Sequence, residues 1–141
     1  MADQLQLEVV TPERRVLAEA VNSVTVPGRN GEMQILPGHA ALISELQTGV
    51  LAYNQGGTAQ QLHVSGGFIE VNNDKVSVLA EIAERPDEID VRRAQEGVRI
   101  SQTRLSGQSG ADIDVDRAQL KLMRNLNRLQ LARYASEELH R

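Results

Sequence analysis

Hydrophobic and polar residues alternate at every second position in several short segments of the first part of the chain. The alternation is clearest in residues 5–9 and again in residues 76–82. Sequences rich in glycine, proline and asparagine, which are typical of turns, separate these segments. Because the runs GVLAY and VSVLA are apolar at consecutive positions, they favour sheets that pack on one another. The pattern predicts a β-sandwich of many short strands over residues 1–86, in which residues 40–46 form either a strand or a helical turn.

The pattern changes after Pro86, where apolar residues begin to recur at three- and four-residue spacing. Asp90 precedes the first of these segments and Asp114 precedes the second. An aspartate in that position accepts hydrogen bonds from the free amides of the first helical turn. The sequence SGQSGAD interrupts the chain between the two segments. Residues 87–141 are therefore predicted to form an α-helical hairpin, which gives the whole chain an α+β fold.

Four basic residues of the second helical segment are spaced so that they share one side of the helix, and the opposite side is apolar. The basic residues, called here the basic stripe, are Arg117, Lys121, Arg124 and Arg128, and the apolar residues are Ala118, Leu122, Leu126 and Leu129. No acidic residue occurs between Asp116 and Glu137, so the helix itself supplies no ion-pair partner for the stripe. We therefore expect an anionic partner, either a small phosphate-bearing ligand or an acidic protein surface.

The composition excludes several classes of function. The chain has no cysteine and no tryptophan, which removes cysteine-ligated metals and most of the aromatic surface that stacks on nucleic acid. The usual nucleotide-loop, dinucleotide and zinc-protease signatures are missing, and the histidines are scattered, so we predict no catalytic or metal-binding residue. Residues 1–88 carry twelve acidic and five basic side chains, whereas residues 89–141 carry seven and ten. No signal or transit peptide is recognisable, and no apolar stretch approaches the roughly 20 residues that span a bilayer. We expect an intracellular protein that reaches a membrane only through a partner.

Three stretches of sequence, taken together and in order, resemble the ε subunit of the F-type ATP synthase. They are GEMQILPGHAALISELQTGVL at residues 31–51, SGGFIEV and VSVLAEIAERP within residues 65–86, and IDVRRA at residues 89–94. The resemblance extends over essentially the whole chain. It implies an N-terminal β-sandwich of about ten strands and a C-terminal two-helix domain, in a subunit that is not an enzyme and requires no cofactor.

The resemblance also implies partners and a location. The subunit would lie in the central stalk of a proton-translocating ATP synthase, peripherally at the cytoplasmic face of a bacterial membrane. The β-sandwich would contact the γ subunit and the c-ring, with Glu32 and His39 on the partner-binding surface. The hairpin would contact the α and β subunits through the basic stripe and restrain ATP hydrolysis. The absence of a recognisable transit peptide is the reason for expecting a bacterial membrane.

Members of this family that bind nucleotide carry the pattern [IL]DxxRA followed by arginines on the second helix, and this chain is similar to them. Two guanidinium groups on one side of a helix bind phosphate oxygens through charge-assisted hydrogen bonds. In the other interpretation, Asp90 only caps the helix and the arginines only dock on acidic protein. The sequence leaves both interpretations open. The residues implied to bind ATP as a regulatory ligand are Glu84, Ile89, Asp90, Arg93, Ala94, Arg124 and Arg128.

Two further functions follow from the residues alone. The basic stripe is compatible with a nucleotide-sensing or nucleic-acid-binding adaptor that acts without partner subunits, although the acidic first part and the missing aromatic residues argue against nucleic acid. A small hydrolase is disfavoured because no nucleophile–base arrangement is recognisable.

Overall fold

The computed structural model describes residues 4–107 and 112–139, with side chains described as far as Ser136. The chain divides into two compact units whose boundary lies between Arg85 and Pro86. The first unit consists of strands and the second of helices, so the predicted fold class is confirmed. The described residues contain eight strands rather than about ten. One of them lies within residues 40–46, a segment for which the sequence allows two conformations.

The strands are β1 (Leu5–Val10), β2 (Arg15–Val21), β3 (Ser23–Gly28), β4 (Gly31–Ile35), β5 (Leu42–Glu45), β6 (Gly49–Gln55), β7 (Thr58–Asn72) and β8 (Lys75–Glu84). They form one continuous sheet in the order β2-β1-β8-β7-β6-β3-β4, and β5 pairs with β7 beside this path. Strands β1 and β8 are parallel, and every other pair of neighbours is antiparallel.

Strands from both ends of the sheet share a single hydrophobic core. In β1 the alternating residues Leu5, Leu7 and Val9 are buried, as the period of two predicts. Val21 of β2 and Ile35 of β4 belong to the same core, although these strands lie at opposite ends of the sheet. The sheet must therefore fold over on itself, which gives the two packed layers of a sandwich.

The longest strand, β7, changes its partner along its length. It pairs with β6 through residues 58–64 and with β5 through residues 68–71, while β8 pairs along its other edge. Gly66 and Gly67 lie at the change of partner, with φ angles of 71° and 95°. A Cβ atom on Gly67 would overlap the backbone carbonyl oxygen of Leu79. Only glycine combines this conformation with so close an approach to β8.

The second unit contains a short 3-10 helix (Pro86–Glu88) followed by α1 (Val91–Leu105) and α2 (Val115–Leu139). Both predicted helix caps are present. Asp90 accepts a hydrogen bond from the backbone N–H of Arg93 at 3.0 Å, and Asp114 accepts one from that of Arg117 at 3.1 Å. Part of the predicted break between the helices, residues 108–111, lies outside the described residues.

Small side chains allow α1 and α2 to pack closely as an antiparallel hairpin. Ala94 and Ser101 are buried on α1, and Ala118 is buried on α2. Gly97, between the two buried residues of α1, lies against the side chain of Asn125. Leu126, which the helical spacing assigns to the apolar side of α2, remains 48% exposed because it lies at the edge of that side.

Candidate functional site

The family resemblance implies ATP-binding residues at and just before α1, and these lie at the start of that helix. Asp90 has extended backbone angles (φ −82°, ψ 100°), and its carboxylate accepts from the N–H of Arg93. Ala94, whose N–H donates to the backbone oxygen of Asp90 at 3.0 Å, is only 2% exposed. Ile89 is half-buried in the turn just before the helix. Arg93 is therefore the exposed cation of this group, and the carboxylate of Asp90 acts as a helix cap.

The basic stripe on α2 divides into two parts with different surroundings. Arg117 and Lys121 are exposed, whereas Arg124 and Arg128 are half-buried. Nη1 of Arg128 donates a hydrogen bond to Oδ1 of Asn125 at 2.9 Å. The half-buried part of the stripe contains the two arginines that match the nucleotide-binding pattern.

The packing of the hairpin brings the start of α1 to the level of the half-buried arginines. Gly97 lies against Asn125. Arg93 is about one helical turn before Gly97, and Arg128 is about one turn after Asn125. Because the helices run in opposite directions, Arg93 and Arg128 lie at the same level of the hairpin. The two exposed members of the stripe lie one to two turns towards the other end.

Glu84 belongs to the first unit, where it is the last residue of β8. It pairs with His63 across the β7–β8 ladder, and its Oε1 lies 3.9 Å from Nε2 of that histidine. The side chain of His63 is fully buried, whereas that of Glu84 is 28% exposed. The residues implied to bind ATP are thus divided between the two units, with Glu84 in the first and the others in the second.

The two residues of the first unit that are expected to bind partners, Glu32 and His39, are not adjacent. Glu32 is exposed near the start of β4 and pairs with Pro27 across the β3–β4 hairpin. His39 follows the other end of β4, and its Nδ1 lies 2.7 Å from the backbone oxygen of Ala40, to which it donates. Glu32 is therefore the accessible residue of the pair, and His39 is half-buried and tied to its own turn.

An exposed apolar surface on the sheet was not predicted from the sequence. Phe68 and Leu79 face each other across β7 and β8, and Ile43 of β5 lies diagonally from Phe68 on the same face. We call these three residues the outer apolar strip. They are 51%, 55% and 72% exposed in that order. A shallow groove of about 300 Å³, lined by Val10 and Pro12 among others, continues the strip beside Leu79.

The run VSVLA was the available signal for this strip. Its consecutive apolar residues indicate packing on both faces, but Leu79 points away from the core because its neighbours Val78 and Ala80 occupy the inner face. The apolar residues on the two faces of β8 therefore do not have the same role here. One face is buried in the core, and the other, with Leu79, is exposed.

No helix in the described part of the chain is both long enough and apolar enough to cross a membrane. Among the described residues, no three histidine, aspartate or glutamate side chains are grouped so that they could hold a metal ion.

Comparison with known proteins gives matches to both units. The family model described as "ATP synthase, Delta/Epsilon chain, beta-sandwich domain" matches residues 4–86. The model described as "ATP synthase, Delta/Epsilon chain, long alpha-helix domain" matches residues 87–133.

Relatives and solved structures agree with these matches. The chain is 44% identical to an ATP synthase epsilon chain of Desulforamulus reducens over 94% of its own length and 99% of that protein. It is 51% identical to the epsilon chain of Carboxydothermus hydrogenoformans over 75% of its own length and 79% of the relative. A chain in the Euglena gracilis mitochondrial ATP synthase (OSCP/F1/c-ring) has a TM-score of 0.74 and 26% identity. The match covers 87% of this chain and 78% of the Euglena chain. A chain in the central stalk and c-ring of the Tetrahymena thermophila mitochondrial ATP synthase has a TM-score of 0.57 and 14% identity. The match covers 93% of this chain and 95% of the Tetrahymena chain and shows a likeness of fold alone. The chain therefore belongs to the delta/epsilon chain family of the ATP synthases.

Proposed function

We propose that this chain is a non-catalytic rotor subunit in the central stalk of a proton-translocating F-type ATP synthase. In this proposal the unit of residues 1–86 folds alone and binds the γ subunit and the c-ring. The hairpin of residues 87–141 contacts the α and β subunits and restrains ATP hydrolysis. The complex lies at the cytoplasmic face of a bacterial membrane, which the chain reaches only through its partners. Family membership supports this assignment, and the similar Euglena gracilis chain comes from an OSCP/F1/c-ring assembly.

The outer apolar strip is the observation that carries the proposal. Burying a large apolar side chain contributes about 1.5–3 kcal/mol, so a group of them on one face supports a surface that a partner covers. Glu70 of β7 shares this face with the strip, and so does Glu45 of β5, whose Oε2 pairs with Nη1 of Arg29 at 2.7 Å. The complementary surface is therefore apolar at its centre, with a basic group opposite Glu70. We assign this surface to the γ subunit, and we assign the exposed Glu32 end of the β3–β4 hairpin to the c-ring.

The basic stripe supports the regulatory part of the proposal. Arg117 and Lys121 are exposed, and α2 supplies no acidic residue between Asp116 and Glu137. Like charges at i,i+4 spacing disfavour an isolated helix, so an acidic surface on the catalytic subunits stabilises the stripe when the hairpin is bound there.

ATPase activity of the reconstituted complex tests this proposal. A chain that lacks residues 88–141 should still assemble but should raise the rate of ATP hydrolysis. Charge reversal by Arg117→Glu and Lys121→Glu should relieve inhibition in the same direction, and Gln119→Glu provides a control on a neighbouring exposed position. Unchanged hydrolysis with both the truncated and the charge-reversed chains would reject the inhibitory role.

A second function, ATP binding as a regulatory signal, is favoured by the common level of Arg93 and Arg128 in the hairpin. A ligand shifts an equilibrium only through different affinities for its two states. We call the hairpin closed when α1 and α2 pack on each other, as they do in this structure. ATP bound by both helices would stabilise this closed hairpin by about 2.7 kcal/mol at a hundredfold excess of ATP over its Kd. Arg124 and Arg128 would then bind ATP in the closed state and an acidic protein surface in the open state. ATP and that protein surface therefore compete for the same arginines.

Calorimetry on the full chain tests ATP binding without the other subunits. Arg93→Ala and Arg124→Ala should each weaken ATP binding at least about tenfold, which corresponds to about 1.4 kcal/mol. Absence of heat at millimolar ATP in the natural chain would reject this function and leave Asp90 as a helix cap only. Binding that persists without partners but collapses with added salt would instead favour the stand-alone adaptor.

A further inference from the structure

A glycine inside α1 makes room for an asparagine of α2. A Cβ atom on Gly97 would come within 3.0 Å of Cγ of Asn125 and would overlap the side-chain nitrogen. Glycine is unfavourable in the interior of a helix, so this position does not serve the stability of α1 itself. The space that a side chain would fill at position 97 is occupied by the amide of Asn125.

The same amide is bonded to one arginine of the basic stripe. Oδ1 of Asn125 accepts from Nη1 of Arg128 at 2.9 Å. A guanidinium group has only donors, so the atom that faces Arg128 must be the amide oxygen, and the nitrogen then faces Gly97. One end of the amide is therefore held by α1 and the other end holds Arg128.

We propose that Asn125 is a positioning residue for Arg128 and that Gly97 makes this positioning depend on closure of the hairpin. In the closed hairpin the amide is confined between Gly97 and the guanidinium, which restricts the orientation of Arg128. When α1 moves away, the amide loses its support and restricts the orientation of Arg128 less. Pre-organised groups bind a ligand more tightly because less freedom is lost on binding.

This inference rests on the proposed function, in which Arg128 binds the phosphates of ATP. It adds a reason why ATP would prefer the closed hairpin, since the amide restricts the orientation of the arginine more in that state. Asn125 itself does not contact the nucleotide in this proposal.

Calorimetry with ATP on the full chain tests the positioning. Asn125→Ala should weaken ATP binding by about five- to tenfold, because a hydrogen bond to a charged group is lost. Gly97→Ala should weaken it by a similar factor, although alanine is the better helix former. The double variant should lose no more than either single variant, because the two changes act on one contact. Gln130→Ala, which removes an exposed amide from the same helix, serves as the control and should bind ATP normally.

A second measurement needs no ligand and separates this inference from the proposed function. NMR relaxation of the Arg128 side-chain Nε–H should report a restricted group in the natural chain and a more mobile one in Asn125→Ala and Gly97→Ala. If the natural chain binds no ATP, that part of the proposed function fails, and the relaxation data still decide the positioning. Equal mobility of Arg128 in all variants would overturn the inference, as would equal ATP affinity of the natural chain and Asn125→Ala.

Discussion

Nη2 of Arg85 donates a hydrogen bond to the backbone oxygen of Val16 at 2.9 Å, which joins residues 69 positions apart. Arg85 is the last residue of the first unit, and its charge also lowers the pKa of the Tyr53 phenol on β6. The last residue of the first unit is thus fixed to β2.

Removing this anchor should destabilise the first unit. Arg85→Ala should lower the free energy of unfolding by about 1–3 kcal/mol, because the backbone carbonyl of Val16 loses a charged donor. Arg85→Lys should recover only part of the loss, since an ammonium lacks the planar fork of donors. Urea denaturation monitored by circular dichroism measures both effects. Arg15→Ala, at an exposed arginine of β2, is the control and should change the free energy by less than about 0.5 kcal/mol.

The stability of the first unit should fall at alkaline pH through Tyr53. Burial raises the pKa of the Tyr53 phenol, the carboxylate of Glu19 acts in the same direction, and Arg85 partly opposes both. A raised pKa of an acid in the folded state means that the unfolded state releases its proton first. The stabilising contribution of the Tyr53 phenol to the folded state is therefore fully present below about pH 10 and is lost as the pH rises further.

The free energy of unfolding should be compared between the natural chain and Tyr53→Phe at several pH values. The difference between them should change above about pH 10 in the direction that disfavours the natural chain. A difference that is constant across this range would show that Tyr53 titrates normally.

The outer apolar strip should determine affinity for the γ subunit rather than stability of the chain. Phe68→Ser and Leu79→Ser each remove an exposed side chain whose burial would contribute about 1–2 kcal/mol, so each should weaken binding about five- to thirtyfold. Biolayer interferometry with purified γ subunit measures this affinity. Leu36→Ser is the matched control, because Leu36 is 50% exposed but is not part of the strip. Equal losses at all three positions would mean that the strip is not the binding surface.

Two substitutions of Asp90 distinguish its role as a helix cap from the effect of its negative charge. Asn caps helices about as well as Asp, so Asp90→Asn should retain both the thermal stability of the hairpin and its affinity for ATP. Asp90→Ala leaves the N–H of Arg93 without this acceptor and should cost about 1 kcal/mol. Thermal unfolding and calorimetry together measure the two effects. If Asn proves as damaging as Ala, the negative charge itself is required.

The sequence by itself determined the local structure of this protein. The period of two in residues 5–9 and the helical spacing after Pro86 predicted strands and helices, because the side of an element that is buried repeats with the element's own geometry. The caps at Asp90 and Asp114 were predictable for the same reason, since each acts on amides within one turn of itself. The order of motifs also identified the family correctly.

The tertiary structure alone decided which residues meet across the fold. The pairing of Phe68 with Leu79 depends on the register of β7 on β8, and local alternation does not distinguish an apolar face that is covered from one that is open. The contact of Gly97 with Asn125 depends on how the two helices are aligned in the hairpin. In each case the partner is far away in the sequence, and packing of the whole unit, rather than the periodicity of one segment, selects it.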